Sequence, residues 1–266
     1  MSRLMRREPH KLIVAPMGRG KTGATLDAVR FLLDSFTVLR VLIIAPKLVA
    51  RETWPAEIAA REHTRILRFA VAVGTDRQRR EAIDAGAEIT VINRENLVWL
   101  WKRFGENADN WPYDCVIVDE SSMFKAGRKR TARSKVKDAK GNTKIRRGGK
   151  MTRFGVLAAV RGKIDNIYLL TGTPGELLDL WGQMYLLDRG ARLGGTQSAF
   201  HKAWFIKNPY SYDIKPRPDA EEQIMRRIAD VMVSLPPLDL VPPPVFIPVK
   251  VILSPNRIRY MPRPAE

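Results

Sequence analysis

The chain has 266 residues, of which 45% are hydrophobic, and its 46 Lys and Arg against 28 Asp and Glu give a net charge of +18. This length suits one sizeable α/β domain with a small appendage and is short for two large ones. The charge favours a polyanionic partner, either nucleic acid or an acidic membrane surface, although a solvated basic surface has the same composition. Cys115 is the only cysteine, which excludes a disulfide framework and a cysteine-based metal site.

Nothing in the sequence indicates a segment that enters or crosses a membrane. No apolar stretch approaches the roughly 20 residues that span a bilayer. The polar start, MSRLMRREPH, lacks the apolar centre of a signal peptide. We therefore expect a soluble protein in a reducing compartment, the cytoplasm.

Short apolar runs alternate with longer segments of helical period, a pattern typical of a mostly parallel sheet covered by helices. Strands are predicted over residues 11–15, 38–45, 67–73, 88–92, 115–118 and 166–170. Helices are predicted over residues 21–34, 51–61, 76–85, 154–161, 176–187 and 220–233. The predicted fold class is therefore α/β.

Two stretches break this alternation. Residues 125–150 hold twelve Lys or Arg and one acid, Asp138, with few large apolar side chains, so they predict a mobile basic loop. Residues 235–248, LPPLDLVPPPVFIP, are too rich in proline for a helix and predict a stiff, extended connector, with one more strand at 249–253. The predicted division is a domain at 1–234 followed by a connector and tail at 235–266.

The motif APMGRGKT, at residues 15–22, lies between a predicted strand and a predicted helix. Its glycines let backbone N–H groups face a phosphate at the positive end of the helix dipole. Lys21 would reach the β and γ phosphates of ATP, and Thr22 would offer its hydroxyl to Mg²⁺. Ala15 stands where the strict motif has glycine, so a glycine turn with an incidental lysine is the alternative. The expected nucleotide contacts are Gly18, Arg19, Gly20, Lys21 and Thr22.

The motif CVIVDESS, at residues 115–122, is an apolar strand that ends on two adjacent carboxylates. Such a strand delivers Asp119 to the carboxyl edge of the sheet, where it can bind Mg²⁺ directly or through water. Glu120 can then orient and deprotonate an attacking water. Alone, the pair could be a solvated loop, but after an upstream phosphate loop it favours catalysis by Lys21, Asp119 and Glu120.

A third polar loop, LLTGTP at residues 169–174, would be an ordinary turn in isolation. In order and spacing, the three loops resemble the first lobe of Swi/Snf-like superfamily-two helicases, especially those of tailed phages. IIAPKLVARETWPAE at 43–57, VINRENL at 91–97 and GELLDLW at 175–181 extend the resemblance over about residues 11–254. It implies a RecA-like lobe of a motor that acts on duplex DNA and holds ATP and Mg²⁺ between two such lobes.

The resemblance also implies roles for residues outside the phosphate loop and the acidic pair. Thr171 and Thr173 match the segment that couples the nucleotide site to the DNA site. The residues expected to contact nucleic acid are Pro46, Lys47, Asn93 and Arg94, together with Lys129 and Arg130 of the basic segment.

Two features of the family have no counterpart in the sequence. Only about ten residues precede the first predicted strand, so the segment whose glutamine reads adenine has no match. The arginine finger of the second lobe, worth about 10³ to 10⁵ in rate, has no match either. The sequence therefore predicts an ATP-binding lobe that needs a second RecA-like lobe, in trans or from a longer chain, for hydrolysis.

Two other functions fit part of the sequence. A non-catalytic DNA-binding protein could keep the RecA-like scaffold and use residues 125–150 as its main contact, although four intact site residues argue against that. A DNA-packaging ATPase shares the phosphate loop and the acidic pair, although TGTP and the following GELLDLW favour the helicase family.

Overall fold

The computed structural model describes residues 1–124, 151–173, 175–207 and 214–236, together with the backbone of residues 132–137 and 143–148. The strands, numbered in chain order, are β1 His10–Val14, β2 Val41–Ala45, β3 Phe69–Ala72, β4 Ile89–Asn93, β5 Cys115–Asp119, β6 Ala132–Lys137, β7 Thr143–Gly148, β8 Asn166–Thr171, β9 Phe205–Lys207, β10 Ile214–Pro216 and β11 Met232–Ser234. The α-helices are α1 Ser2–Arg7, α2 Lys21–Asp34, α3 Trp54–Ala60, α4 Asp76–Asp84, α5 Leu97–Arg103, α6 Arg153–Val160, α7 Leu180–Asp188, α8 Gln197–Trp204 and α9 Ala220–Ile228.

Seven strands form one parallel sheet in the order β11-β1-β8-β5-β2-β4-β3. Two antiparallel pairs, β6 with β7 and β9 with β10, lie outside it. The α/β architecture expected from the sequence, a mostly parallel sheet flanked by helices, is confirmed.

The sheet is buried on both faces, which explains why its strands read as continuous apolar runs. In β2, Leu42 and Ile44 belong to one hydrophobic cluster, while Ile43 and Ala45 belong to another on the opposite face. This alternation follows from the two-residue period of a strand.

Helices α1, α2 and α3 cover one face, and α5, α6, α7, α8 and α9 contribute buried side chains to the other. Among the helices that the structure describes, none is both long and apolar enough to cross a membrane.

The second predicted strand, 38–45, begins only at Val41 because a distant carboxylate captures the backbone before it. Asp114 accepts hydrogen bonds from the backbone N–H groups of Leu39 and Arg40, at 2.7 and 3.0 Å. The N–H groups of these two residues are thereby unavailable to the ladder. Nothing local in the sequence indicates a partner that lies about 75 residues away.

Three predicted helices change character along their length. The segment at 176–187 begins with a 3₁₀ turn, Leu177–Asp179, and becomes α7 only at Leu180. The segment at 51–61 begins as a π-helix, Val49–Thr53, and becomes α3 only at Trp54. The segment at 220–233 ends at Ile228, after which the chain turns and β11 pairs with β1 at the sheet edge. The apolar residues at 231–233 therefore belong to a turn and a strand, and extending the helix through them was wrong.

The sequence analysis missed α1, α5, α8 and the short strands β9 to β11. Within the basic segment it predicted a loop, whereas the backbone of β6 and β7 forms an antiparallel pair. The Pro-rich connector begins on the sheet, where the Leu235 N–H donates to the Val14 carbonyl at 2.8 Å. The rest of the connector and the strand expected at 249–253 lie outside the described residues, and the domain division stays a prediction.

Candidate active site at the carboxyl edge of the sheet

The predicted site residues meet because parallel strands end at the same edge. Val14 is level with Thr171, and Asp119 is level with Leu170, so β1, β8 and β5 release their loops side by side. Strands β2 and β4 end level with each other further along the same edge. The phosphate loop, the acidic pair, the TGTP loop and both expected DNA-contact segments therefore follow the same edge of one sheet.

The loop at residues 15–22 has a left-handed backbone at its two glycines. Gly18 and Gly20 have φ angles of 77° and 65°, and Gly20 caps the N-terminus of α2. A Cβ at either position would meet nothing within 4 Å, so the positive φ angle itself is what requires glycine. Arg19 lies between the two glycines and is half-buried, and Thr22 is half-buried in the first turn of α2.

Lys21, the first residue of α2, folds back over the loop. Its Nζ donates hydrogen bonds to the carbonyls of Ala15 at 2.7 Å and Pro16 at 3.2 Å. Both partners are neutral, so the ammonium keeps its charge for an anion, and the loop beside it ends at a positive helix terminus. This arrangement fits a phosphate group.

Asp119, the last residue of β5, is 8% exposed, and both of its carboxylate oxygens accept hydrogen bonds. Oδ2 accepts from the Trp54 indole Nε1 at 3.2 Å, and Oδ1 accepts from the Glu120 backbone N–H at 3.1 Å. Burial raises the pKa of Asp119, and the Glu120 charge raises it further, against the lowering effects of the Trp54 N–H and the Lys21 ammonium. The charge of Lys21 therefore acts on the Asp119 carboxylate across the site.

No cluster of three or more potential metal-binding side chains occurs among the described residues. In phosphate-binding proteins Mg²⁺ takes one or two protein oxygens, and phosphates and water complete its coordination. Thr22 and Asp119, the two ligands that the sequence predicts, each carry an oxygen of the kind that Mg²⁺ binds, and their role stays a prediction.

Glu120 has an unusual backbone conformation that nothing in the sequence predicts. Its φ and ψ angles are 56° and 54°, in the left-handed region, and it begins a short 3₁₀ turn at Ser121–Met123. A side chain in this region costs about 1–2 kcal/mol, and such strain is concentrated at functional sites. Behind the turn, the buried Ser121 hydroxyl donates to the Gln183 side-chain oxygen at 2.9 Å. The neighbouring Ser121–Gln183 bond ties the turn to α7.

We expect Glu120→Gly to unfold at a higher temperature than Glu120→Ala, because both lose the carboxylate and only glycine relieves the left-handed strain. The net gain, after the added freedom of the unfolded chain, is about 0.5–1 kcal/mol. For a domain of this size, about 1 kcal/mol corresponds to 2–4 °C in Tm. Thermal unfolding followed by circular dichroism checks this. Equal Tm values for Glu120→Ala and Glu120→Gly would contradict the claim that the left-handed backbone at residue 120 is strained.

Thr171 and Thr173 are linked within the TGTP loop. The buried Thr171 Oγ1 donates to the Thr173 carbonyl at 2.5 Å and lies 3.3 Å from the Thr173 N–H. Ala15 donates its backbone N–H to the Thr171 carbonyl at 2.9 Å. The TGTP loop is therefore bonded directly to the start of the phosphate loop.

A cleft of about 450 Å³ lies where β2 and β4 end, and its lining includes Lys47, Asn93 and Arg94. Lys47 is exposed, whereas Asn93 is 4% exposed. Pro46, next to Lys47, accepts a hydrogen bond from the Ala50 N–H at 2.8 Å. The structure thus brings together both pairs of residues that the sequence proposed for nucleic acid.

Glu95, which the sequence analysis missed, holds two of these residues. Its carboxylate accepts from the Asn93 side-chain amide at 2.9 Å and from the Arg94 Nε at 2.8 Å. Partial burial raises the pKa of Glu95, but these two hydrogen bonds outweigh burial and lower it overall. Arg94 is therefore already paired with a carboxylate. The other two residues expected to contact nucleic acid, Lys129 and Arg130, lie outside the described residues.

No protein-family model matches the chain. Protein p41 of Acyrthosiphon pisum secondary endosymbiont phage 1 is 36% identical over 234 residues, which cover 85% of this chain and 46% of that protein. The SWI2/SNF2 ATPase core of Sulfolobus solfataricus in complex with double-stranded DNA superposes with a TM-score of 0.61 at 19% identity, over 88% of this chain and 42% of that one. The core domain of the same ATPase gives a TM-score of 0.58 at 21% identity, over 88% and 41%.

These comparisons establish the fold. The chain spans less than half the length of the phage protein and of both solved structures. The part that it does span has the fold of the corresponding part of a SWI2/SNF2 ATPase core.

Proposed function

We propose that this chain is the ATP-binding lobe of a motor that acts on duplex DNA. The observation that carries the proposal is the carboxyl edge of the sheet, where the glycine loop that holds Lys21 and the strand end that carries Asp119 follow adjoining positions of the same sheet. The cleft with Lys47 and Arg94 follows the same edge. The 36% identity to a phage protein supports a phage origin, and thus activity in the host cytoplasm.

In this proposal each residue of the edge has one task. Lys21 moves its ammonium from the loop carbonyls to the β and γ phosphates, and Thr22 and Asp119 hold Mg²⁺. When bound there, Mg²⁺ would neutralise the negative charge that develops on the transferred phosphoryl group. Glu120 accepts the proton of the attacking water from its fixed backbone position.

The proposed DNA partner rests on charge and on the fold. The net charge is +18, and one solved structure of this fold is a complex with double-stranded DNA. Lys47 is exposed and can bind a phosphate directly, while Asn93 and Arg94 do so after leaving Glu95. Thr171 and Thr173 pass changes between the two sites, since their loop is bonded to the phosphate loop.

The alternative is a DNA-binding protein that keeps the scaffold without using ATP. Filter binding with labelled ATP, with and without duplex DNA and with Mg²⁺ throughout, separates the two functions. The motor lobe retains ATP on the filter, whereas the scaffold protein retains DNA alone. Retention of neither ligand would overturn both.

The basic segment offers a separate test of the DNA partner. We expect deletion of residues 128–147 to weaken DNA binding about 10-fold or more near 0.1 M salt and to flatten its salt dependence, because each lost phosphate contact removes about 0.9 from the slope. Fluorescence anisotropy with a labelled duplex over a salt series measures both.

The matched control keeps the length of the segment and replaces its Lys and Arg with Gln. This variant should behave as the deletion does, and both should bind ATP as the unchanged chain does. A salt slope that neither variant alters would mean that the segment is a solvated insert.

A further inference from the structure

Trp54 is the largest fully buried side chain, and its one polar atom is used at the active site. It is the first residue of α3 and is 0% exposed. Its indole Nε1 donates to Oδ2 of Asp119, 65 residues away, at 3.2 Å. A buried indole N–H needs an acceptor, and here that acceptor is the carboxylate proposed to hold Mg²⁺.

The two hydrogen bonds on Asp119 fix its carboxylate. Trp54 donates to one oxygen and the Glu120 backbone donates to the other. With 8% of Asp119 exposed, water has little room to replace a lost donor. The indole therefore sets the rotation of the carboxylate plane, which determines where its remaining lone pairs point.

The chain that leads to Trp54 comes directly from the proposed DNA contact. Its backbone is helical without a break from Lys47 to α3, and a π-helix, Val49–Thr53, occupies the middle. The first turn is anchored to the end of β2 by the hydrogen bond from Ala50 to Pro46. A π-turn carries an extra residue at weaker geometry, and such turns occur frequently at functional sites. One helical segment thus connects Lys47 to the indole on Asp119.

We propose that Trp54 is a positioning residue that orients Asp119 for Mg²⁺ and that links this orientation to the Lys47 segment. Binding of a DNA phosphate at Lys47 shifts the segment, and Trp54 transmits the shift to the carboxylate. This inference rests on the proposed function, because it takes Asp119 as the Mg²⁺ ligand and Lys47 as the DNA contact.

The first experiment compares Trp54→Phe with the matched control Trp101→Phe. Trp101 is 5% exposed, and its buried indole Nε1 has no hydrogen-bond partner within the part of the chain that the structure describes, so its replacement removes an indole and none of the hydrogen bonds described. Binding of a fluorescent ATP analogue to the full chain is titrated with Mg²⁺.

We expect Trp54→Phe to raise the half-saturating Mg²⁺ concentration about 10- to 100-fold, as loss of an outer partner of a metal ligand does. Nucleotide binding without Mg²⁺ should stay unchanged, which a merely destabilised protein would not show. Trp101→Phe should match the unchanged chain. An unaltered Mg²⁺ requirement in Trp54→Phe would overturn the positioning role.

The second experiment compares the unchanged chain with Asp119→Asn. Both proteins keep Trp54, so the result does not depend on whether a Trp54 variant folds. The ¹⁵N-indole NMR signal of Trp54, recorded without ligands, should shift in Asp119→Asn, and an unmoved signal would overturn the hydrogen bond. This result does not depend on ATP or DNA binding. The chain could bind neither ligand in the filter assay while Asp119→Asn still moves the NMR signal. In that case the proposed function and the link to DNA are wrong, but the Trp54–Asp119 hydrogen bond is confirmed.

The link itself is tested by adding duplex DNA alone to the NMR sample. We expect the Trp54 indole signal to move in the unchanged chain and to stay in place in Lys47→Ala at a DNA concentration that saturates both proteins. Movement of equal size in both would overturn the link through Lys47. No movement in a chain that binds DNA would also overturn it.

Discussion

Lys21→Ala should lower the affinity for ATP in the presence of Mg²⁺ by about 100-fold or more. The variant loses the ammonium that we propose binds the β and γ phosphates, and hydrogen bonds to charged groups contribute about 1.5–3 kcal/mol each. It also loses the two bonds that hold the carbonyls of Ala15 and Pro16, so the loop is less ordered before the nucleotide arrives. Titration calorimetry measures the affinity.

Two variants show whether position or charge matters. Lys21→Arg keeps the charge and should still impair binding, because a planar guanidinium does not fit a loop that closes around a compact ammonium. Lys102→Ala removes an exposed lysine from the last turn of α5 and should leave the affinity unchanged. If Lys21→Ala, Lys21→Arg and Lys102→Ala all bound ATP as tightly as the unchanged chain does, APMGRGKT would be only a glycine turn.

The sequence predicted the strands that end at this edge of the sheet well because their signals are local. An apolar run that ends on Asp119 and Glu120 predicts a buried strand and the edge at which it ends. Helix α2 was predicted with both of its bounds, since glycine precedes it and its apolar period is regular. The strand ends then bring the loops together without further information, because parallel strands share their carboxyl edge.

What the sequence could not indicate depends on partners far along the chain. The hydrogen bond from Trp54 to Asp119 joins two separate motifs, and no spacing rule relates an indole to a carboxylate 65 residues away. The left-handed backbone of Glu120 could not be predicted from the sequence either. Glutamate does not favour positive φ angles, and the surrounding turn imposes this conformation. Glu95 was missed because a single acid beside an arginine is common on a solvated surface.

The final prediction concerns hydrolysis by the 266-residue chain. These residues span 46% of the phage protein and 42% of a SWI2/SNF2 ATPase core, and in the proposed motor the arginine finger belongs to the remaining part. Such a finger contributes about 10³ to 10⁵ in rate. The purified chain should therefore bind ATP weakly, with one side of the nucleotide open to water, and hydrolyse it barely above background.

DNA should stimulate this residual rate little, since stimulation requires two lobes that close around the nucleotide. Adding a second RecA-like lobe in trans, taken from the unmatched part of the phage protein, should restore DNA-stimulated turnover in a coupled phosphate-release assay. Glu120→Gln should then abolish turnover while keeping ATP bound, because the amide preserves the shape and cannot accept a proton. Robust DNA-stimulated hydrolysis by the chain alone, still lost in Glu120→Gln, would instead require an arginine finger supplied by a second copy of this chain.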